Sequence, residues 1–310
     1  MADKIATRQS YGKALVELGA SRQDIVVLDA DLSGSTMTKE FAKVYPERFF
    51  NAGIAEANMY GMAAGLAVSG KTVFASTFAI FAAGRAFEII RNSIGYTGAN
   101  VKICATHAGL TVGEDGASHQ AIEDLALMRT IPGMTVLNPA DDVSARKLLK
   151  AAADMHGPVY VRLGRAAVPV IYEEETDVQI GKALTLREGK DYTIIATGIL
   201  VSQAADAAEQ LAGEGIDVRV IDMHTLKPMD EEAVLKAARE TKGIVTAEEH
   251  TVIGGLGAAV AQICCAQAPA KVSFAGIQDT FGESGKPDEL LEKYGLTAAR
   301  IADAVRAMAR

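Results

Sequence analysis

The segment with the greatest density of chemically active side chains spans residues 106–120 and reads THAGLTVGEDGASHQ. It contains His107 and His119, two of five histidines, and the acidic residues Glu114 and Asp115 among three glycines. Glycines allow close approach of the backbone to a ligand, and histidines beside carboxylates suit proton transfer and the binding of sugar hydroxyls. The spacing matches no zinc or calcium pattern. The segment therefore predicts a ligand-binding loop, with a purely structural loop as the alternative.

Two other segments offer an acidic group beside apolar residues. Residues 29–35 read DADLSGS and are typical of either a ligand site or a simple turn with an aspartate cap. Residues 51–58 read NAGIAEAN and place Glu56 before an almost wholly apolar run. The helix dipole favours a carboxylate in a first turn, which is the ordinary explanation for Glu56. The functional one is a desolvated carboxylate that exchanges a proton with a bound heterocycle.

Residues 76–85 read STFAIFAAGR and carry Phe78 and Phe81 three positions apart. Phenylalanines at this spacing usually belong to a core. The alternative is that they form an apolar wall for a flat aromatic ligand.

The chain carries 31 lysine and arginine residues against 39 aspartates and glutamates, which gives a formal net charge of −8. A polyanion such as nucleic acid needs a basic face, so this balance argues against nucleic acid as a partner. A bound anion must then be held by a few placed cations. Arg8, Arg162 and Arg165 are the candidates, although a solvated or salt-bridged role is the alternative for each.

Short β-branched runs alternate with helical patterns along the chain. The predicted strands are residues 25–28, 72–75, 101–105, 135–137, 159–163, 193–196, 218–221, 244–247 and 272–275. Strand–helix alternation predicts an α/β fold with parallel sheets covered by helices on both faces. Ligands bind such sheets beyond the carboxyl ends of the strands, which is where the polar segments fall.

The length of 310 residues favours two domains, and the acidic stretch at residues 172–179 is the predicted linker. The domains are then residues 1–172 and 180–310. No run approaches 18 apolar residues and the first residues lack the apolar stretch of a secretory signal, so we expect a cytoplasmic protein without a membrane span. Cys104, Cys264 and Cys265 are expected to be buried thiols in a reducing compartment.

Five segments taken in order resemble the C-terminal half of transketolase: GIAEANMYGMAAGLA, STFAIFAAGRAFE, HAGLTVGEDGASHQAIEDLA, LNPAD and VRLGRAAVP. The GIAE element and the GEDG-x-x-HQ-x-IE run occur in the family's order and spacing. The resemblance covers essentially the whole chain. It implies a pyrimidine-type parallel sheet covered by helices, which binds thiamine diphosphate, followed by a smaller α/β transketolase C-terminal domain.

The resemblance assigns cofactor roles residue by residue. Glu56 is expected to hydrogen-bond N1′ of the aminopyrimidine of thiamine diphosphate and so to promote loss of the thiazolium proton. Phe78 and Phe81 match aromatics that pack on the pyrimidine, and Asp31 matches a residue near the cofactor. Gly84 stands where full-length enzymes often have a third aromatic.

It also assigns substrate roles. Asp115 and His119 match catalytic residues that contact the hydroxyl and carbonyl groups of the donor ketose. A second set matches residues that grip the sugar phosphate: Arg8, Ser35, His107 and Arg165. Arg165 fits better than Arg162 because it keeps the R-x-x-x-P spacing with Pro169. Such a cluster would hold a phosphate on an acidic protein.

A complete transketolase also has an N-terminal domain that binds the cofactor diphosphate through Mg²⁺ with a GDG motif. Here the only Gly-acid-acid-Gly run is GEDG at residues 113–116, which matches the pyrimidine domain. The resemblance therefore implies a split transketolase in which a partner subunit supplies the Mg²⁺ ligands, and no metal ligand is assigned to this chain. Two copies of each chain would form a heterotetramer that transfers two-carbon ketol units between sugar phosphates, the chemistry of the pentose phosphate pathway.

Two other functions are compatible with parts of the pattern. One is a deoxyxylulose phosphate synthase-like or 2-oxo acid dehydrogenase beta-like subunit, which the retained sugar-phosphate residues argue against. The other is a non-enzymatic binding remnant, which the intact Glu56 and GEDG loop argue against. The preferred sugars stay open, since a branched or sulfonated sugar would leave most of these residues unchanged. The apolar run at residues 254–265 is either an interface helix or a core helix.

Overall fold

The structure is a computed structural model and describes residues 3–309. Residues 1, 2 and 310, which the two predicted domains include, lie outside the described residues. The alternation of strands and helices predicted from the sequence is present, and the α/β fold is confirmed.

The described part of the N-terminal half, from residue 3 onward, contains eight strands and seven α-helices. In chain order they are β1 (Lys4–Ala6), α1 (Thr7–Ser21), β2 (Ile25–Asp29), α2 (Ser33–Thr36), α3 (Lys39–Val44), β3 (Phe49–Asn51), α4 (Glu56–Val68), β4 (Thr72–Phe78), α5 (Phe87–Ile89), β5 (Val101–Thr106), α6 (Asp124–Thr130), β6 (Thr135–Leu137), α7 (Asp142–Asp154), β7 (Val159–Arg162) and β8 (Ala167–Pro169). Two π-helical turns flank α5, at Phe81–Arg85 and Ile90–Gly95.

The C-terminal half, described as far as residue 309, contains six strands and five α-helices. They are β9 (Leu184–Arg187), β10 (Tyr192–Ala196), α8 (Leu200–Ala212), β11 (Val218–Asp222), β12 (Thr225–Lys227), α9 (Glu231–Glu240), β13 (Ile244–Thr251), α10 (Leu256–Gln267), β14 (Val272–Ile277), α11 (Pro287–Lys293) and α12 (Ala298–Ala309). Residues 170–183, which include the predicted linker, form no helix or strand.

The first sheet has seven strands in the order β12-β6-β7-β5-β4-β2-β3. Its six strands from the N-terminal half are parallel, whereas β12 comes from the C-terminal half and pairs antiparallel with β6. The strands β2, β4 and β5 are buried along their whole length, as expected for a parallel sheet with covered faces. Because they run the same way, their carboxyl ends form one edge.

The second sheet has five strands in the order β14-β13-β10-β11-β9, all parallel except the edge strand β9. One apolar cluster crosses between the halves, joining Ile103 and Leu125 of the first to Met223 and Val260 of the second. The halves therefore share core as well as the β12–β6 ladder, and their packing holds elements of the second half against the first sheet.

Two local expectations need correction. Cys104 and Cys264 are buried, but Cys265 is exposed, so the prediction of three buried thiols is wrong for Cys265. It lies on α10, where successive side chains point about 100° apart, so neighbouring cysteines cannot both face the core. The almost wholly apolar run that follows Glu56 in α4 is buried on one side only, since Gly61, Met62 and Val68 face solvent.

No helix within residues 3–309 is both long and apolar enough to cross a membrane.

Candidate active site at the carboxyl edge of the first sheet

The carboxyl ends of neighbouring parallel strands bring the candidate segments together. Asp29 at the end of β2 is paired with Asn51 of β3 on one side and with Ser76 of β4 on the other. Phe78 at the end of β4 is paired with Thr106 at the end of β5. Residues that follow these positions must therefore share the edge where open α/β sheets bind their ligands.

Glu56 is the first residue of α4 and its side chain is 2% exposed. Its two carboxylate oxygens accept hydrogen bonds of 3.0 and 3.2 Å from Nη1 of Arg85. The helix dipole stabilises negative charge at this position, and the guanidinium balances it. The structure thus places a buried, charged acceptor at the edge of the sheet.

Phe78 and Phe81 lie beside this carboxylate. Their rings are nearly parallel, with centroids 5.8 Å apart, and the Arg85 guanidinium carbon lies 4.9 Å from the Phe81 centroid. Arg85 ends the π-helical turn that begins at Phe81, while the neighbouring Gly84 is exposed. One planar donor group therefore contacts the Glu56 carboxylate and an aromatic face at once.

Asp31 lies at the same edge but is exposed. Its backbone is in the left-handed region, with φ of 65°. Asn51 holds it from both sides, because the Asn51 Oδ1 accepts from the Asp31 amide and the Asn51 amide donates to Asp31 Oδ1, each at 3.0 Å. Asn51 Oδ1 also accepts from the Gly53 amide, so Asn51 ties Asp31 to the loop that leads into Glu56.

His107 directly follows β5 and is buried, with φ of 56°. Its ring stacks on Phe78 with centroids 3.9 Å apart, and its Nδ1 lies 2.9 Å from the Thr106 hydroxyl. Burial, together with the positive charges of Arg8, Arg165 and His119, lowers the pKa of His107 to about 3. The imidazole is thus neutral at physiological pH and lies among three other basic groups.

Arg8 and Arg165 are brought together by the ladder between β1 and β8, in which Ala6 pairs with Ala167. The Thr7 hydroxyl fixes the approach by accepting the Gly164 amide at 2.8 Å. Burial and the nearby Arg165 lower the pKa of Arg8. Two guanidiniums held close in an acidic protein form a site for an anion.

The individual contacts of these arginines refine the expectation. Arg8 Nη1 donates to the Ser35 carbonyl oxygen at 2.8 Å, whereas the sequence interpretation assigned the role of Ser35 to its hydroxyl. The buried Arg8 Nε has no hydrogen-bond partner within residues 3–309. A buried donor without a partner is costly, so this atom fits an anionic ligand.

Asp115 and His119 come from the glycine-rich loop. Asp115 Oδ2 lies 3.5 Å from Nη1 of Arg165. His119 presents its ring at a steep angle to Phe81, with centroids 5.5 Å apart, and its Nδ1 lies 3.0 Å from the Ser118 hydroxyl. The loop thus lies against both Arg165 and Phe81.

Arg162 is separate from this cluster. It is 4% exposed and pairs with Asp124, with Nε 2.9 Å from Oδ2. The hydroxyl of Tyr160 donates to the same carboxylate. This buried pair agrees with the choice of Arg165 over Arg162 for an anion site.

Three residues at the site received no role from the sequence. Arg85 was noticed only as the last residue of the segment 76–85. Gln120 belongs to the GEDG-x-x-HQ-x-IE run but received no role; it donates from Nε2 to the carbonyl oxygens of Leu110, at 3.2 Å, and Glu283, at 2.9 Å. Glu249 accepts the Thr111 amide at 2.6 Å, although it lies in the C-terminal half. No local signal marks the contact of Glu249, because its partner is 138 positions away.

Two buried acids of β13 have unusual environments. Burial raises the pKa of Glu249 to about 7, against the opposing effect of Arg162. Burial likewise raises the pKa of Glu248 to about 7, while its oxygens accept the amides of Leu256 and Gly257 at the start of α10. Within residues 3–309 no group of three or more histidines, cysteines and acids is arranged to hold a metal ion.

Comparison with known proteins identifies the two halves. Residues 3–170 match the family described as transketolase, pyrimidine binding domain, and residues 181–301 match transketolase, C-terminal domain. The chain is 53% identical, over 95% of its length and 93% of the relative, to a putative transketolase C-terminal section from Methanocaldococcus jannaschii. It is 45% identical, over 95% of its length and 91% of the relative, to the 6-deoxy-6-sulfo-D-fructose transketolase subunit SqwH of Clostridium sp. strain MSTE9.

A solved structure described as a split gene transketolase, inactive beta4 tetramer, shares 57% identity with this chain. The superposition has a TM-score of 0.92 and covers 98% of both chains. The predicted resemblance to the C-terminal half of a transketolase in split form is thus confirmed, and the comparisons do not favour the alternatives considered from sequence. The chain belongs to the transketolase family, the thiamine diphosphate-dependent ketol transferases, of which it carries the pyrimidine-binding and C-terminal domains.

Proposed function

We propose that this chain works with a separate N-terminal subunit as a transketolase that transfers a two-carbon ketol unit from a ketose phosphate to an aldose phosphate. The observation that carries the proposal is the convergence of Arg8, Arg165, His107 and His119 beside an aromatic pair and a buried carboxylate. A sugar phosphate needs cations and hydroxyl-binding groups, and a thiamine cofactor needs an acceptor and a ring wall. The edge of the first sheet offers both.

Thiamine diphosphate, when bound, would supply a nucleophilic thiazolium carbon for the ketol transfer. Glu56, a buried carboxylate, would accept a hydrogen bond from N1′ of its aminopyrimidine. Phe78 and Phe81 would pack on the ring, and Asp31 is tied through Asn51 to the loop that leads into Glu56. The ligands of Mg²⁺ are assigned to the partner subunit, since they belong to the diphosphate half of the family's site.

The glycine-rich loop and the two arginines bind the sugars in this proposal. His119 and Asp115 hydrogen-bond the carbonyl and hydroxyl groups of the donor. Arg8 and Arg165 grip the phosphate, helped by Ser35 and by the neutral imidazole of His107 as hydrogen-bond donor.

Exposed apolar side chains near Glu56 support the need for a partner. Ile54 is 79% exposed and Val68 81% exposed at the two ends of the α4 segment, and Met62 lies between them. We propose that this face of α4 lies against the N-terminal subunit, so that the site is completed in a heterotetramer of two copies of each chain. The related split-gene structure is described as inactive when it is a beta4 tetramer, which agrees with a missing subunit.

The proposal also includes a role in pentose phosphate metabolism and a location in the cytoplasm. Its domain bounds are residues 1–172 and 180–310. The location is supported by three free cysteines, which suit a reducing compartment.

The test is ketol transfer from xylulose 5-phosphate to ribose 5-phosphate with thiamine diphosphate and Mg²⁺. It is run with this chain alone and after addition of the N-terminal-half subunit, and it is repeated with the Glu56→Gln variant and with Glu88→Gln as the exposed control. We expect turnover only in the mixture, a loss of at least about a hundredfold for Glu56→Gln, in the range of a removed general acid–base group, and none for Glu88→Gln. Activity of the chain alone would refute the two-subunit proposal.

If the mixture is silent with these sugars, the same assay with a 6-sulfonated ketose as donor follows, because one relative is named for that substrate. Transfer from the sulfonated donor would support the proposed transketolase reaction, with a sulfosugar as the donor instead of a sugar phosphate. Silence with both donors would reject the proposed reaction.

A further inference from the structure

The C-terminal half reaches into the proposed substrate loop through one buried carboxylate. Glu249 lies on β13 and is 3% exposed, and its Oε1 accepts the Thr111 amide at 2.6 Å. Thr111 is the middle residue of a 3-10 turn, Leu110–Val112, that follows His107 by three positions. Loss of this acceptor would leave the buried Thr111 amide without a partner, so the contact holds the turn in place.

Gly109 makes this contact possible. It adopts φ of 79°, and a Cβ at this position would collide with the Glu249 carboxylate. The chain therefore bends so that the carboxylate packs directly on the backbone of the loop. On the other side, Arg162 Nη2 donates to the Glu249 carbonyl oxygen at 3.0 Å and anchors the strand that carries the carboxylate.

The Leu110–Val112 turn also holds Arg165. The Val112 carbonyl oxygen accepts from Nη1 of Arg165, and the same nitrogen lies 3.5 Å from Asp115. Thr111 and Val112 are adjacent in the turn, so a shift of the Thr111 amide moves the carbonyl that orients the guanidinium. The path from Glu249 to Arg165 thus consists of two hydrogen bonds joined by the backbone of Thr111 and Val112.

We propose that Glu249 is a positioning residue for the sugar-phosphate site: it fixes the Leu110–Val112 turn and through it the direction of the Arg165 guanidinium. This inference rests on the proposed function and gives the C-terminal half a task beyond support of the fold. It predicts that loss of the carboxylate weakens recognition of the phosphate group and leaves the ketol-transfer step unchanged.

The experiment uses the assembled two-subunit enzyme with Glu249→Ala, Glu249→Gln and the exposed control Glu232→Gln. Steady-state constants are measured with ribose 5-phosphate and with ribose as acceptors. We expect Glu249→Ala to raise KM for ribose 5-phosphate about tenfold at an unchanged kcat, with kcat/KM for ribose within twofold of the wild type. Glu249→Gln retains an oxygen acceptor for the Thr111 amide, so its KM for ribose 5-phosphate should be close to that of the wild type.

The path through Arg165 is tested by a double-mutant cycle with Arg165→Ala. If Glu249 acts through this guanidinium, Glu249→Ala has little additional effect when Arg165 is already absent. Additive losses, equal losses with both acceptors, or no loss with either acceptor would overturn the inference. Should Glu249→Ala fail to fold, Glu249→Met, which fills similar space without an oxygen acceptor, is used in the same cycle, with unchanged melting temperature as the criterion of an intact fold.

An inactive wild-type mixture would count against the proposed function instead. An active wild type with a phosphate-independent Glu249 would count only against the positioning role.

Discussion

Arg85 contacts the two groups to which the cofactor ring would bind in the proposed function, the Glu56 carboxylate and the face of Phe81. The guanidinium is 55% exposed, so its pair with Glu56 is partly screened by solvent and can be broken at modest cost. A heterocycle that binds Glu56 must compete with it. At the residue scale, the proposed function therefore makes Arg85 a competitor of the cofactor ring for Glu56.

Replacing Arg85 by alanine should tighten the binding of thiamine diphosphate to the assembled enzyme several-fold. The exposed pair and the cation–π contact are each worth about 0.5–1 kcal/mol, and 1.4 kcal/mol corresponds to tenfold in affinity. Isothermal titration measures the affinity, with Arg91→Ala as the exposed control on the next π-helical turn. Weaker binding would instead identify Arg85 as part of the ring pocket, in the place that Gly84 leaves without an aromatic.

At the scale of secondary-structure elements, the pair between Asp124 of α6 and Arg162 of β7 fixes the helix that follows the glycine-rich loop. Both side chains are buried, at 0% and 4% exposure, and the guanidinium also holds the carbonyl oxygens of Ala121 and Glu249. The charge of Arg162 keeps the pKa of Asp124 below its usual value against the effect of burial. The pair thereby connects the loop, the first sheet and β13.

Asp124→Asn should lower the free energy of unfolding by about 3–5 kcal/mol, because it leaves the Arg162 guanidinium buried without a counter-charge. Urea unfolding followed by circular dichroism measures this value. Glu292→Gln, which breaks an exposed pair with Arg300, should change it by less than about 1 kcal/mol. A loss of similar size in both variants would show that the buried pair has no special structural role.

At the scale of the whole molecule, the segment between the two halves is held by carboxylates of both. Asp141 Oδ2 accepts the amides of Ile171 and Tyr172 at 2.9 and 3.0 Å. The Tyr172 hydroxyl donates to Asp222 Oδ2 of β11 at 2.9 Å. Burial, with a smaller effect of Asp141, raises the pKa of Asp222 to about 8. The predicted linker is therefore an ordered connection that depends on a protonated acid.

The folded chain retains the Asp222 proton between the ordinary aspartate pKa and about 8, whereas the unfolded chain releases it. Stability should therefore fall as pH rises through this window. Asp222→Asn imitates the neutral acid, so its melting temperature should fall less than that of the wild type between pH 5 and pH 8. Differential scanning calorimetry at both pH values measures this, with the exposed Asp279→Asn as control. An equal fall in wild type and Asp222→Asn would contradict the assignment.

Local sequence patterns were sufficient for nine strands of the two large sheets. The predicted strand at residues 135–137 is Thr135–Leu137 in the structure, and the other eight are found with changes at their ends, the largest a four-residue extension of β13 to Thr251. The strands β1, β3, β8, β9 and β12 were missed. Each has only three or four residues and lies at the edge of its sheet, where it pairs with a strand that is distant along the chain or belongs to the other half. The β propensity of a short segment does not indicate whether a distant strand will pair with it.

The sequence by itself determined the family, the α/β fold and the segments that supply the candidate site, because motif spacing and strand–helix alternation are local properties. Only the tertiary structure decided which side chains meet. It brought Arg8 to Arg165 through a ladder between strands more than 150 positions apart, and it buried Arg162 against Asp124. It also placed Glu249 against Gly109. These contacts depend on how sheets and halves pack, which the order of residues within one segment does not specify.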